Sequence, residues 1–278
     1  MIQDSETNFL YLSGLLPDIY SEFYNNLIFI LEDCNIPFSL LPLNKDIWAK
    51  DFMPVQIEKS EYVQFRFYPD YLKPQKYHHL HTDTNIVCSA MKLMPDKSMV
   101  VLDGGNVIRT RDKIILCDKI FIENPQLNES ELINELSSLF KTDKIIFIPW
   151  DRNDFTGHAD GMVRFIDNDT VLINERTNEN SVFEKRLRAS LKDAGLDIME
   201  LPYTPPNDPT FTSAKGLHLN YLQMKQAVVV PLFNQGTDDK AVRLFENIFK
   251  GQNIATIDCN EIAAEGGVLN CISWNIVT

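Results

Sequence analysis

Short β-rich runs alternate with amphipathic helical segments along the whole chain, and this alternation limits its fold more than any other feature. Residues 18–33 (DIYSEFYNNLIFILED) space their apolar side chains at helical intervals, and residues 36–43 follow as a strand. Residues 54–57 and 61–68 read as a hairpin, 83–94 as a helix, and 99–102, 107–110 and 113–117 as three short strands. The segment 128–140 (NESELINELSSLF) opens on a cap residue with an acidic first turn, as a helix should. A strand at 144–149 precedes a pair at 162–166 and 170–174, and a helix at 181–194 closes at Gly195 ahead of a strand at 197–201. Strand, helix and strand recur at 226–232, 237–249 and 253–258. About five helix–strand cycles without a strict repeat predict an α/β fold. No Pro/Gly/Ser linker interrupts the 278 residues, so a single domain over 1–278 is expected. The residues ahead of Asp18 read as flexible, and LPYTPPNDP (201–209) reads as a loop beside an active site.

Charge narrows the class of partner. Twenty-six Lys and Arg against 39 Asp and Glu leave a formal net charge of −13. A field of that sign repels nucleic acid and anionic membrane and favours cations, so neither nucleic acid nor membrane is expected as a partner. No apolar run approaches the roughly 18 residues of a membrane span. The acidic start lacks the basic region, apolar stretch and cleavage site of a secretion signal, which predicts a cytoplasmic protein. Five scattered cysteines, Cys34, Cys88, Cys117, Cys259 and Cys271, contain no CxxC pair and read as reduced thiols. His78, His79 and His81 lack the acid or cysteine spacing of a zinc site and read as a solvated loop. Asp167 and Asp169 read as hairpin-turn residues rather than calcium ligands, and no P-loop or GxGxxG is present. Neither a metal site nor nucleotide binding is therefore expected.

Four local patterns carry chemistry. In Trp48-Ala-Lys-Asp51-Phe-Met-Pro54, the proline forces the preceding backbone to be extended and presents Asp51 at a strand edge. In Leu102-Asp103-Gly104-Gly105-Asn106, an acid precedes a double glycine that permits close backbone approach. If residues 157–165 (GHADGMVRF) run as one strand, His158 and Asp160 share a face and form a pair suited to general acid/base work. In EGGVLNC (265–271), Cys271 follows a double glycine at an expected strand end, open to a small molecule. A cysteine nucleophile needs an imidazolium or a bound cation nearby, and His158 is the histidine to supply it. One thiol, one imidazole and the carboxylates of Asp51, Asp103 and Asp160 would repel an anion. They suit a guanidinium, whose planar donors carboxylates bind bidentately and whose charge stabilises a thiolate. Taken singly, each residue has a structural reading as well: an inert thiol, a satisfied core histidine, a turn carboxylate. Trp48 and Phe155 are candidates to line the pocket or to belong to the core.

The segments WAKDFMP, LDGGN, GHADGMVRF and EGGVLNC resemble, in that order, the signatures of the agmatine deiminase / Porphyromonas-type peptidylarginine deiminase family of guanidine-modifying enzymes. HLNYLQMKQAVVVPLFNQGTDDKAVRLFENIF (218–249) resembles the family's strand–loop–helix ahead of its cysteine. The resemblance implies a pentein fold, five ββαβ-type units in a pseudo-fivefold propeller around a central pocket. It implies hydrolysis of a small cationic guanidino substrate through a covalent thiouronium on Cys271, without cofactor. His158 would protonate departing ammonia and activate water, Asp51 and Asp160 would clamp guanidinium nitrogens, and Asp103 would assist proton transfer. Trp48 and Asn106 are further substrate-binding candidates. Two positions depart from the family pattern: Asp103 stands where Glu is usual, and Asn270 where His is usual. Agmatine, giving N-carbamoylputrescine and ammonia in polyamine synthesis, is the expected substrate, with a homodimer as the implied assembly. Arginine, peptidyl-arginine or dimethylarginine hydrolysis, amidino transfer and a non-catalytic pentein that binds a guanidino ligand or a protein partner are the alternatives. A substrate bearing an α-carboxylate would require a cation, for which Arg66, Arg152 and Arg164 are candidates.

Overall fold

A computed structural model describes residues 1–175, 181–205 and 212–278. In chain order its strands are β1 (Phe9–Ser13), β2 (Phe38–Leu41), β3 (Val55–Glu58), β4 (Glu61–Arg66), β5 (Asp96–Val101), β6 (Ile108–Arg109), β7 (Ile114–Cys117), β8 (Ile145–Ile148), β9 (Val163–Phe165), β10 (Thr170–Asn174), β11 (Asp197–Leu201), β12 (Leu222–Gln223), β13 (Ala227–Leu232), β14 (Asn253–Asp258) and β15 (Ser273–Ile276). They form five three-stranded sheets: β3-β4-β5, β6-β7-β8, β9-β10-β11, β12-β13-β14 and β15-β1-β2. In every sheet the first strand runs antiparallel to the middle one, and the middle one runs parallel to the third.

Burial explains why the middle strands read as nearly continuous apolar runs, since both of their faces are covered. Ile114 and Leu116 of β7 pack with Leu132, Leu136 and Phe140, the buried stripe of the helix Glu129–Phe140. Ile115 and Cys117 point the other way and join Leu187 and Leu191 of the helix Val182–Asp193. The same alternation divides β10, β13, β1 and β4 between neighbouring clusters, so each core cluster lies between two successive sheets. Caps place the helix starts. Asn128 and Glu131 form a reciprocal capping box, and the Ser181 side chain accepts from the Glu184 amide.

Four expectations are corrected. The start of the chain is ordered structure: β1 is the middle strand of its sheet, with Leu10 and Leu12 fully buried, and it pairs with β15 from Phe9↔Ile276 to Leu12↔Ser273. Its partner lies at the far end of the chain, so local pattern alone could not reveal the pairing. The expected helix at 18–33 is divided at Tyr20 into Leu16–Ile19 and Ser21–Asp33, and the one at 83–94 is only Thr84–Ala90. Residues 157–165 are not one strand. Gly157 is left-handed at φ 66°, Ala159–Gly161 is a 3-10 turn, and only Val163–Phe165 forms a strand. Of the loop expected at 201–209, residues 206–209 lie outside the described residues.

Other expectations stand. The hairpin β3–β4 forms, Asp167 caps the turn between β9 and β10 by accepting from the Asp169 and Thr170 amides, and Cys34, Cys88, Cys117 and Cys259 are buried. Among the described residues no helix is long and apolar enough to cross a membrane.

Candidate active site

Five short turns immediately precede the first strands of the five sheets, and they are joined in a closed cycle. Ala49–Phe52 leads into β3, Gly104–Asn106 into β6, Ala159–Gly161 into β9, His218–Asn220 into β12 and the turn at 269–272 into β15. The Gly105 amide donates to Asp51 Oδ1 at 2.9 Å, and His158 Nε2 meets Asp103 Oδ2 at 3.1 Å. Asn220 Nδ2 donates to Asp160 Oδ2 at 3.2 Å, and the Asn270 amide to the Asn220 carbonyl at 3.1 Å. The Lys50 amide donates to the Cys271 carbonyl at 3.0 Å and completes the circle.

Cys271, His158, Asp51, Asp103 and Asp160 are thereby brought into one site. Asp160 Oδ2 accepts from Asn270 Nδ2 at 2.6 Å and lies 3.7 Å from Cys271 Sγ. Asn270, one of the two departures from the family pattern, therefore anchors the carboxylate nearest the thiol. His158 lies between two acids, with Nδ1 3.5 Å from Asp51 Oδ1 and Nε2 on Asp103. The pairing of His158 with Asp160 expected from strand alternation is replaced by this bracket, because the chain turns at Gly157 instead of extending. Trp48 is half-buried at the double glycine: a Cβ on Gly267 would stand 2.6 Å from its ring and 3.1 Å from Cys271 Sγ. The Asn106 carboxamide oxygen accepts from the Cys117 amide at 2.7 Å and ties the Asp103 turn to β7.

Glycine is required where these turns touch. A Cβ on Gly104 would fall 1.9 Å from the Lys50 carbonyl oxygen, and one on Gly105 would be 2.7 Å from both Asp51 Oδ1 and His158 Nδ1.

Burial and charge set the protonation states. Burial alone would lower the His158 pKa, but Asp51, then Asp103 and Asp160, raise it to about 10, so the ring is an imidazolium at neutral pH. Asp51 is pushed up to about 7 by burial, with Asp103 and Asp160 adding to the effect and His158 opposing it. Burial, followed by Asp160 and Asp51, lifts the Cys271 thiol well above its ordinary value, which makes it a neutral thiol in the ligand-free site.

Sequence reasoning missed Asn220, Lys50 and Tyr71. Asn220 Oδ1 accepts from the amides of Asn270 and Cys271 at 3.1 and 3.3 Å while its Nδ2 holds Asp160. Tyr71, on the 3-10 turn Asp70–Leu72, donates its hydroxyl to Asp103 Oδ2 at 3.2 Å and packs edge-on against His158 and Phe155. Lys119, almost wholly buried, bridges to Asp70 at 2.9 Å and donates to the Thr156 carbonyl at 2.8 Å, which pins the Tyr71 turn to the loop before His158. A quasi-repeat marks the turn that bears Asn220. Each first strand carries an apolar–polar pair just after its turn: Val55-Gln56, Ile108-Arg109, Val163-Arg164, Leu222-Gln223 and Trp274-Asn275.

Of the arginines considered for a substrate carboxylate, Arg66 lies over Tyr68 and Arg152 over Trp150. Arg164 is buried on Asp4 and the Tyr221 carbonyl. Among the described residues no group of three or more His, Cys, Asp and Glu is placed to hold a metal ion. His78 and His79 are exposed, and His81 meets the Phe67 carbonyl at 3.0 Å.

Known proteins share both sequence and fold with this chain. The family described as Porphyromonas-type peptidyl-arginine deiminase matches residues 20–276. An agmatine deiminase of Stutzerimonas stutzeri is 23% identical over 207 residues, covering 62% of this chain and 56% of that protein. The chain spans between 52% and 58% of the length of the first curated relatives it matches. An agmatine deiminase of C. jejuni superposes with a TM-score of 0.80 at 19% identity, over 100% of this chain and 95% of that one. A cysteine-to-serine form of that enzyme, solved with substrate bound, gives a TM-score of 0.79 at 17% identity, over 100% and 96% of the two chains. At identities this low, the superpositions show a common fold and nothing more.

Proposed function

The chain belongs to the Porphyromonas-type peptidyl-arginine deiminase family, and from that premise we propose that it is a cofactor-independent deiminase hydrolysing agmatine to N-carbamoylputrescine and ammonia. The observation that carries this reading is the arrangement of one partly exposed thiol, Cys271, beside Asp160, with an imidazolium held between Asp51 and Asp103. In this reading residues 1–278 act as a single catalytic domain, a pentein with five blades in pseudo-fivefold propeller order, cytoplasmic and homodimeric.

The chemistry follows from the charges. A guanidinium entering among Asp51, Asp103 and Asp160 adds a second cation beside the His158 imidazolium, and Asp103 Oδ1, buried and without a hydrogen-bond partner, can accept one of its N–H groups. The same cation lowers the pKa of the Cys271 thiol, whose proton leaves toward Asp160. The thiolate adds to the guanidinium carbon. The His158 imidazolium gives its proton to the departing nitrogen, ammonia leaves, and an S-alkylthiouronium remains on Cys271. Neutral His158 then takes a proton from water as its oxygen attacks the same carbon, and breakage of the C–S bond releases the ureido product and the thiol. An amine-tailed substrate fits better than arginine, because the buried Arg164 is already paired to Asp4.

Ammonia release measured with agmatine, arginine and a blocked arginine peptide tests the assignment. Release from agmatine is expected, and silence on all three from folded protein would overturn it. The pH dependence has a defined sign. Asp51 must be ionised to hold the cation and His158 protonated to release ammonia. The value of kcat/KM should therefore rise with pH through about 7 and fall through about 10. A profile still rising above that upper limit would exclude His158 as the acid.

Tyr71→Phe removes the hydroxyl that steadies Asp103, and kcat/KM is expected to fall by roughly tenfold. Stoichiometric alkylation of Cys271 by a haloacetamidine should persist in this variant, and unchanged kinetics would show that Tyr71 only packs.

A further inference from the structure

The apolar–polar pairs of the first strands have a second consequence. Arg109, Arg164 and Gln223, the polar members from β6, β9 and β12, line one cleft of about 360 Å³, together with Asp4, Ser5 and Arg111. Arg111, Asp167 and Asn168 follow β6 and β9 in the chain, whereas the candidate active-site turns precede those strands. The cleft thus opens at the opposite ends of the first strands from Cys271.

Its charges do not cancel. Arg164 Nη2 is paired with Asp4 Oδ2 at 2.8 Å, and its Nη1 donates to the Tyr221 carbonyl at 3.1 Å. The other Asp4 oxygen accepts from Asn275 at 3.2 Å. Arg111 is paired with Glu6 at 2.6 Å. Asp167 is occupied with the backbone amides of its own turn. Arg109 spends Nε on the Ile2 carbonyl at 2.6 Å, and among the described residues its two terminal nitrogens have no hydrogen-bond acceptor. Behind it lies buried Lys50, whose Nζ reaches only a neutral acceptor, Asn275 Oδ1, at 3.2 Å. Three basic side chains, Lys50, Arg109 and Arg164, therefore gather around the carboxylate of Asp4 in a protein of net charge −13, with Asp160 of the candidate active site acting more weakly on Lys50 and Arg164. Unbalanced buried charge of this kind is costly unless a counter-ion neutralises it.

From this we infer that the cleft is a binding site for a small oxyanion, a carboxylate or a phosphate, held bidentately by the terminal nitrogens of Arg109. Ser5 and Gln223 supply neutral donors at its wall. A planar guanidinium fork matches two oxygens of either anion, and the cleft is large enough for an anion carrying a short organic tail. The site is opposite in sign to the carboxylate-rich centre around Cys271, so the two would not compete for one ligand. It does not depend on the deiminase reading.

Titration calorimetry at low ionic strength, with inorganic phosphate and with succinate as separate probes, tests the inference on the full chain. Wild type, Arg109→Gln, Arg109→Lys and Cys271→Ser are compared. One saturable event per chain is expected for at least one probe, and the active probe identifies the anion as phosphate or carboxylate. Arg109→Gln should weaken it by about tenfold or more, and Arg109→Lys, which keeps the charge but loses the fork, by less. Cys271→Ser should bind as wild type does. Where Arg109→Gln proves unstable, the rise in Tm with probe concentration in wild type against Arg109→Lys provides the same comparison. No saturable binding of either probe up to about 10 mM, where even millimolar affinity would be visible, would overturn the site. So would equal affinity in all Arg109 variants, or loss of binding in Cys271→Ser.

Discussion

Cys271→Ser is expected to lower the rate of ammonia release from agmatine by on the order of 10⁴-fold or more, leaving a folded protein that still binds the substrate. Serine keeps nearly the same volume at the turn ahead of β15 and can retain the approach to Asp160 Oδ2. The backbone amide still reaches Asn220 Oδ1 and the carbonyl still accepts from Lys50, so the cycle of turns is preserved. What is lost is the nucleophile. A bound guanidinium can draw the Cys271 thiol into its thiolate, but a hydroxyl lies too far from ionisation for the same charge to suffice. Measured kcat and a separate equilibrium titration with agmatine distinguish the two effects. Residual activity within tenfold of wild type would remove Cys271 from the covalent step.

Gly105→Ala is the second large effect, expected to reduce kcat/KM by roughly 10²-fold while the circular dichroism spectrum remains that of wild type. The added methyl would stand 2.7 Å from both Asp51 Oδ1 and His158 Nδ1. These atoms cannot hold their places. The carboxylate that clamps the substrate and the ring that protonates the leaving nitrogen must both retreat, and the Gly105 amide bond to Asp51 stretches with them. Both partners are side chains, so the fold can adapt at the expense of catalytic geometry. Gly104 differs, because its methyl would meet the Lys50 carbonyl, part of the backbone. Near-normal activity in Gly105→Ala would mean that the separation of His158 and Asp51 does not matter to the reaction.

Much of the architecture was legible because it is written at short range. Helix stripes such as Leu132, Leu136 and Phe140 repeat at intervals of four, and the apolar middle strands announce burial on both faces. The turns bearing Asp51, Asp103, His158, Asp160 and Cys271 were visible for a similar reason. Glycines and prolines that permit close backbone contact must be adjacent in sequence to the acid, imidazole or thiol they present.

Other features depend on contacts across long separations, which no local pattern encodes. The strand Phe9–Ser13 takes its meaning from β15 at the other end of the chain. His158 draws its raised pKa chiefly from Asp51 and Asp103, and only lastly from the neighbouring Asp160 that the sequence suggested. Asn220 and Tyr71 are ordinary residues in their own segments and gain a role only when folding brings them to Asp160 and Asp103. Which turns are sharp enough to carry reactive groups is set locally, because a turn is a matter of a few consecutive dihedral angles. Which of those groups face one another, and what charge each holds, is set by the closed fold, because hydrogen bonding and burial act between segments far apart in the chain.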